Sequence, residues 1–266
     1  MEWRKIKFIV ITALVIAVSS CQTDDDAGTT VQSSPNSPDS DKYIKFLNGL
    51  YNDAQAFHLE VAYQSDAEPF SQSDDWNLTA ENMQAVFDER PITPALNIPD
   101  TVRSVASGSD RNFTPAEIVD LADQHRKRLS TKVEPSVFVI FLDGYLEQDG
   151  EVVDKVVGVN ISNTSVVAVF RPVIDSVGTT ELQKRNIEQA TLVHEIGHAI
   201  GLVNKGVPLT ADHLDPEHEK HCINEDCVMY FENEVSGNMA DFITGNLTPQ
   251  DRILFKEDCL TDISGY

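Results

Sequence analysis

His194, Glu195 and His198 stand in the run His194-Glu195-Ile196-Gly197-His198, two imidazoles four residues apart with a carboxylate beside the first. On a helix, positions four apart share a face about 6 Å apart along the axis, so each ring can bring a nitrogen to one metal ion. Zinc suits such a pair. It is commonly held by two or three imidazoles with one position left to water, whose pKa the metal pulls toward roughly 7. Glu195 is then placed to take the proton from that water and pass it to a leaving amine. The same spacing also occurs on ordinary amphipathic helices, so the motif has to be weighed with its surroundings.

Those surroundings predict a helix. Thr180 and Gln183 have the spacing of a capping box, and Ile187, Ala190, Val193, Ile196 and Ile200 recur at helical intervals, while Gly201 offers a place to end. Upstream, His58 to Tyr63 alternates as a strand, Thr79 to Phe87 fits a short helix, and Thr114-Pro115-Ala116-Glu117 starts a helix running to about Leu129. Val137 to Leu142 is a continuous apolar run, read as a strand buried on both faces, with further strands at Val156 to Ile161 and Val166 to Phe170. Leu247-Thr248-Pro249-Gln250-Asp251 marks a last helix through about Asp258. The expected fold class is α+β: a mixed, mostly parallel sheet backing the histidine helix, then a small C-terminal subdomain. An extended peptide could lie along the edge strand.

The 266 residues hold 43 acidic against 20 basic side chains, a formal charge of −23, which argues against nucleic acid or an anionic membrane surface as a direct partner. A hydrophobic content of 41% permits a real core. Arg4, Lys5 and Lys7 precede an apolar run from Phe8 to Val18, too short to span a bilayer and suited to a signal peptide. Val18-Ser19-Ser20-Cys21 resembles a bacterial lipobox, with Cys21 as the lipidated residue; ordinary cleavage leaving Cys21 a spare thiol is the competing reading. The polar stretch that follows reads as a disordered tether, and Asp24-Asp25-Asp26 resembles the export signal of surface-exposed lipoproteins. The division is then 1–20 signal peptide, 21–41 tether and 42–266 one domain, on an outer-membrane lipoprotein of the bacterial cell envelope. A monomer is expected.

Two histidines do not hold a catalytic zinc firmly. The slot three residues past Gly201 is Asn204, a poor ligand, and the remaining candidates are His213, His218 and His221. His213 lies beside Asp215, a carboxylate that could orient an imidazole or bind calcium. The bland reading of His213 and His218 is that of exposed loop histidines.

His221-Cys222 begins H-C-x4-C-x-M, ending at Cys227 and Met229, and this segment resembles the archaemetzincin signature that follows the zinc helix. The lipobox, H-E-I-G-H-A-I-G-L-V-N-K-G-x-P and H-C-x4-C-x-M-Y together resemble membrane-anchored metzincin-like lipoproteins of Bacteroidota. The sharp part of the match covers Thr191 to Tyr230. The resemblance implies a zincin domain with one catalytic zinc, His221 as third ligand with His213 as the alternative, Met229 in a Met-turn beneath the metal, and a protein or peptide substrate. The chain departs from that pattern. Gly201 and His221 are separated by 19 residues, Leu202 to Lys220, where archaemetzincins have two, although leishmanolysin-like metzincins tolerate an insertion there. The later C-x-x-C is missing, with only Cys259 downstream, so no second four-cysteine zinc site is expected. In an envelope location Cys222 and Cys227 are expected to pair as a disulfide, leaving Cys259 odd, with either pairing to Cys259 as an alternative.

The functional expectation is a zinc endopeptidase with Glu195 as general base. The alternatives are a non-catalytic zinc-binding lipoprotein that binds a protein partner, and a gluzincin-like peptidase with a glutamate as third ligand.

Overall fold

The structure, a computed structural model, describes residues 38–71 and 75–266. The signal peptide, Cys21 and most of the tether lie outside the described residues. Positions 38–41 of the tether form the first turn of helix α1 (Pro38–Asn52).

The chain continues through β1 (Ala56–Gln64), α2 (Asn77–Asp88), β2 (Ala95–Val105), β3 (Asn112–Phe113), α3 (Pro115–His125) and β4 (Ser136–Leu142). It then forms β5 (Tyr145–Gln148), β6 (Glu151–Val153), β7 (Gly158–Asn160), β8 (Val166–Phe170), α4 (Arg171–Val177) and α5 (Glu181–Ala199). A 3-10 turn at Phe231–Glu234, α6 (Ser236–Asn246) and α7 (Glu257–Ser264) complete it.

The main sheet has the order β2-β1-β4-β8-β7 and is parallel except for β7, which pairs antiparallel with β8 at one edge. β3, β5 and β6 form a small second sheet. Side chains alternate between faces along β1. Phe57 meets Phe87 of α2, while Glu60 points the other way and accepts from the main-chain N–H groups of Lys127 and Arg128, just past α3. Both faces are therefore covered, which is why every residue of β4 is buried and reads as an unbroken apolar run. Phe138, Phe141 and Phe170 are fully buried, and each such side chain contributes about 1.5–3 kcal/mol of burial.

α5 packs against β7, β8, α2 and α6, which sets the histidine run beside the antiparallel edge of the sheet. Its N-cap is half of the expected box, because Gln183 Oε1 accepts from the N–H and hydroxyl of Thr179 rather than from Thr180 N–H. Thr180 Oγ1 accepts from the N–H of Gln183, and at the other end Gly201 adopts φ +91°. Gly201 N–H bonds His198 O and Leu202 N–H bonds Gly197 O at 3.0 Å, the paired bonds of a Schellman motif. α1 seals the same end: Tyr43 OH donates to His198 O at 3.0 Å and Tyr51 OH to Ile200 O at 2.7 Å.

Beyond shifts of one or two residues at the ends of β1, α2 and β4, three elements differ from the sequence reading. α3 stops at His125, four residues early, because Arg126 turns away to place Lys127 and Arg128 on Glu60. β7 is three residues long rather than six. The helix expected from Thr248 does not form there: Thr248 Oγ1 accepts from Asp251 N–H, but Leu254 O is drawn to Val228 N–H and Leu254 N–H to Asn82, so the chain stays irregular until α7. Helices α1, α4 and α6 and strands β2, β3, β5 and β6 were not anticipated.

Candidate metal centre

The side chains of His194 and His198 leave α5 one turn apart, and His221 arrives from the segment after the long loop. His194 Nε2 and His198 Nε2 are 3.2 Å apart, and the ring centroids of the three histidines lie 4.8, 5.6 and 4.9 Å from one another. A tetrahedral zinc with Zn–N near 2.0–2.1 Å sets its nitrogens about 3.3 Å apart, so the first pair already has the spacing the ion needs. His194 Nδ1 lies 2.6 Å from Val228 O, where the ring N–H donates to the carbonyl and leaves Nε2 as the free lone pair. His198 Nδ1 and His221 Nδ1 are buried without a hydrogen-bond partner among the described residues.

Glu234, at the end of the 3-10 turn, joins the group. Its Oε1 is 2.9 Å from His221 Nε2 and 3.9 Å from Nε2 of both His194 and His198, so four donor atoms gather in one place. Burial alone raises the Glu234 carboxyl, but the charges and hydrogen bonds of His221 and His194 win and hold it at about 2. His194 moves the other way: burial lowers it, and the Glu234 and Glu195 carboxylates raise it overall. His198 is held well below its ordinary value by burial, then by the charges of Lys205, His194, His221 and Lys220. A neutral imidazole is the form that binds a metal.

Glu195 lies against β7, buried, with the main-chain N–H of Asn160 on its carboxylate. Burial pushes its carboxyl up to about 7; His194 lowers it and Glu234 raises it. The approach is tight, since a Cβ at Gly158 would stand 3.1 Å from Glu195 Cγ. Lys205, buried just past α5, donates to Asn160 Oδ1 at 2.5 Å, so β7, Glu195 and the loop start are joined through one asparagine.

Met229 is fully buried beneath the histidine turn, next to Gly197, and Cys222 N–H bonds Met229 O at 2.8 Å. Asn233 Nδ2 donates to the carbonyls of both Cys227 and Val228, tying the turn that carries Met229.

His213 does not enter the histidine group. It is buried elsewhere, with Nε2 2.8 Å from Asp262 Oδ2 and Nδ1 3.4 Å from Cys222 Sγ. His218 stacks on Phe231 with centroids 3.5 Å apart and pairs with Asp215, whose Oδ1 accepts from the N–H groups of Glu217 and His218. Asn204 is exposed with φ +61°. The expected Cys222–Cys227 disulfide is not formed: Cys222, Cys227 and Cys259 are all free and buried, because α7 brings Cys259 against the same pair. A three-thiol cluster leaves no unique pairing.

Glu234, Asn160 and Lys205 were missed in the sequence. They share no spacing with the histidine run, and only their position in the fold brings them there. The gluzincin-like alternative takes a glutamate ligand, but nothing along the chain singles out Glu234.

No family of known sequence matches the chain, and no curated protein matches it. Among solved structures it is similar to a zinc-dependent peptidase from Methanocorpusculum labreanum, at 15% identity and a TM-score of 0.43, covering 77% of this chain and 99% of that one. It is also similar to archaemetzincin from Methanopyrus kandleri, at 10% identity and a TM-score of 0.41, covering 73% and 96%.

Proposed function

We propose that this protein is a zinc-dependent endopeptidase, with His194, His198 and His221 holding the ion and Glu195 as general base. The observation that carries the reading is the convergence of three buried imidazoles with Glu195 alongside, at the edge of the sheet. Bound there, zinc would supply Lewis acidity toward a peptide carbonyl and acidify a water molecule. Glu195, whose carboxyl burial raises to about 7, would take a proton from water on its carboxylate and give it to the leaving amine. Asn160 N–H orients the carboxylate for both transfers. An extended peptide would lie along the antiparallel edge of the sheet, beside β7. Met229 fills the space below the ligands and acts through packing.

One observation favours a second reading. Glu234 Oε1 sits among the three Nε2 atoms, and four protein donors make a closed, structural zinc site. Such a protein would bind a partner rather than cut it. Glu195→Gln separates the two. On the peptidase reading it keeps one ion at the histidines and loses cleavage of a peptide library by at least about 100-fold. Unchanged cleavage would reject the mechanism, and no cleavage by the wild type would favour the structural site.

We further propose attachment to the bacterial envelope through an acylated Cys21, which the lipobox and the polar stretch after it support. Among the described residues no helix is long and apolar enough to cross a membrane. Lipidated protein should partition into detergent and carry acyl groups on Cys21, and an unacylated, soluble mature form in the host would end the proposal.

A further inference from the structure

Lys205 is buried without an ion-pair partner among the described residues. Only 8% of it is exposed, and its Nζ lies 2.5 Å from Oδ1 of Asn160, a neutral side-chain amide. An ammonium held this deep is costly unless a carboxylate pairs with it. Burial accordingly lowers Lys205 to about 7, with the charge of Lys220 acting the same way and those of Glu195 and Glu234 opposing. A large share of the side chain is therefore free amine at neutral pH, the nucleophilic form. A strained backbone sends it inward: Val203 and Asn204 adopt φ +50° and +61°, a left-handed pair that a β-branched residue rarely joins.

The amide that it meets is held still. Asn160 is 3% exposed, and its Nδ2 donates to Val166 O at 2.9 Å and to Thr164 O at 3.2 Å. With a carbonyl bond of about 1.23 Å, an Nζ that lies 2.5 Å from Oδ1 is at most about 3.7 Å from Cγ, near the roughly 3–3.5 Å of reacting atoms poised for attack. Glu195 completes the group. Its buried carboxylate accepts from the main-chain N–H of the same asparagine.

We propose that Lys205 and Asn160 become joined by an amide bond between their side chains, formed by the folded chain itself with loss of ammonia. Lys205 Nζ attacks Asn160 Cγ, the Nζ–Cγ bond forms and the Cγ–Nδ2 bond breaks. Glu195 takes a proton from the attacking nitrogen and passes one to Nδ2, which leaves as ammonia, so Glu195 ends as it began. No oxidant or co-reactant is consumed. The product is neutral, which removes the cost of a buried ammonium facing a neutral partner. The new bond closes a ring containing β8, α4 and all of α5, and it restricts the unfolded chain as a disulfide of that span would. It stands apart from the peptidase reading, because it needs neither the histidines nor an ion.

Mass spectrometry of the full chain as expressed tests the bond, and the wild type alone decides it. The protein should be lighter than its sequence by about 17 Da, one ammonia, and tandem spectra of its digest should show Lys205 joined to the peptide carrying Asn160. Lys205→Met and Asn160→Ala, with the same N-terminus, should each have the full mass of their own sequence. Asn160→Asp should still link, losing water, about 18 Da, in place of ammonia. Glu195→Ala should fold by circular dichroism and stay unlinked. A wild type of full mass, with Lys205 open to acetylation once denatured, would overturn the proposal, and a link formed equally fast in Glu195→Ala would overturn the proton transfer. Failure of the peptidase reading would show only as absent or unchanged peptide cleavage and would leave these masses as they stand.

Discussion

Gly197 and Met229 meet so closely that position 197 has no room for a side chain: a Cβ there would lie 2.5 Å from Met229 Sδ and 3.1 Å from Phe255 Cε1. The glycine inside the histidine run is therefore set by packing below the helix. Gly197→Ala gains up to about 1 kcal/mol of helix propensity but meets overpacking that typically costs about 1–3 kcal/mol in a closed core. The expected result is net destabilisation with weakened metal retention. Met229→Ala makes room, so Gly197→Ala should do less harm in that background, and strictly additive effects in urea unfolding would contradict the contact.

Glu234 should matter to metal affinity without being part of the histidine run. Its Oε1 is 2.9 Å from His221 Nε2 and 3.9 Å from Nε2 of His194 and His198, the nitrogens that would face the ion, so it stands as a fourth donor rather than as an outer support. Glu234→Gln removes that charge and is expected to raise the zinc dissociation constant, read by competition with a chromogenic chelator. His221→Ala should be more severe, and equal affinity in all three proteins would remove both residues from the site.

Glu188 gives a pH dependence of its own, six residues before His194 on α5. It is fully buried on α5, accepts from the N–H groups of Phe70 and Ser71 at 2.7 and 2.8 Å, and burial raises its carboxyl to about 7 despite those bonds. The folded state therefore holds a proton that the unfolded chain gives up near its ordinary value of 4.5. Between roughly those two values stability falls as pH rises, and above about 7 the loss is complete, amounting to at most about 3 kcal/mol. Glu188→Gln should flatten the profile relative to wild type. Urea unfolding at pH 5 and pH 8 checks it, and parallel profiles would contradict the assignment.

Tyr43→Phe and Tyr51→Phe each remove one hydrogen bond to the carbonyl end of α5. Each is expected to lose about 0.5–1.5 kcal/mol, with Tyr43→Phe the more damaging to zinc retention because its partner is His198 O. Thermal melts with and without chelator would distinguish the two contributions.

Much of this was written in local pattern. Thr180, Gln183 and Gly201 mark α5 because capping is a contact between near neighbours, and Val137 to Leu142 announces a doubly covered strand by composition alone. β2 was silent because its residues are mostly half-exposed and it carries Pro99 and Asp100. Thr248-Pro249 had the local chemistry of a helix start, and the long-range pull of Val228 and Asn82 on Leu254 overrode it. His213 looked like an exposed loop residue since its partners, Asp262 and Cys259, lie 49 and 46 residues away. The grouping of His221 with His194 and His198 was anticipated on the cysteine pattern beside it, whereas Glu234 had no such neighbour to point to it.

α1 is the first element of the described chain, and its Tyr43 and Tyr51 grip the last carbonyls of the helix that carries His194 and His198. It follows that the protein has a load path. Force applied at the N-terminal end of the chain is transmitted along α1 to two hydroxyl groups and from them to the rim of the histidine cluster. An attachment made before Pro38 would thus be mechanically in series with the histidine cluster, and one made at Tyr266 would reach the same grip from the other end of the chain, because the Tyr266 ring packs on Tyr51 with centroids 4.9 Å apart and its hydroxyl donates to Asn48 of α1.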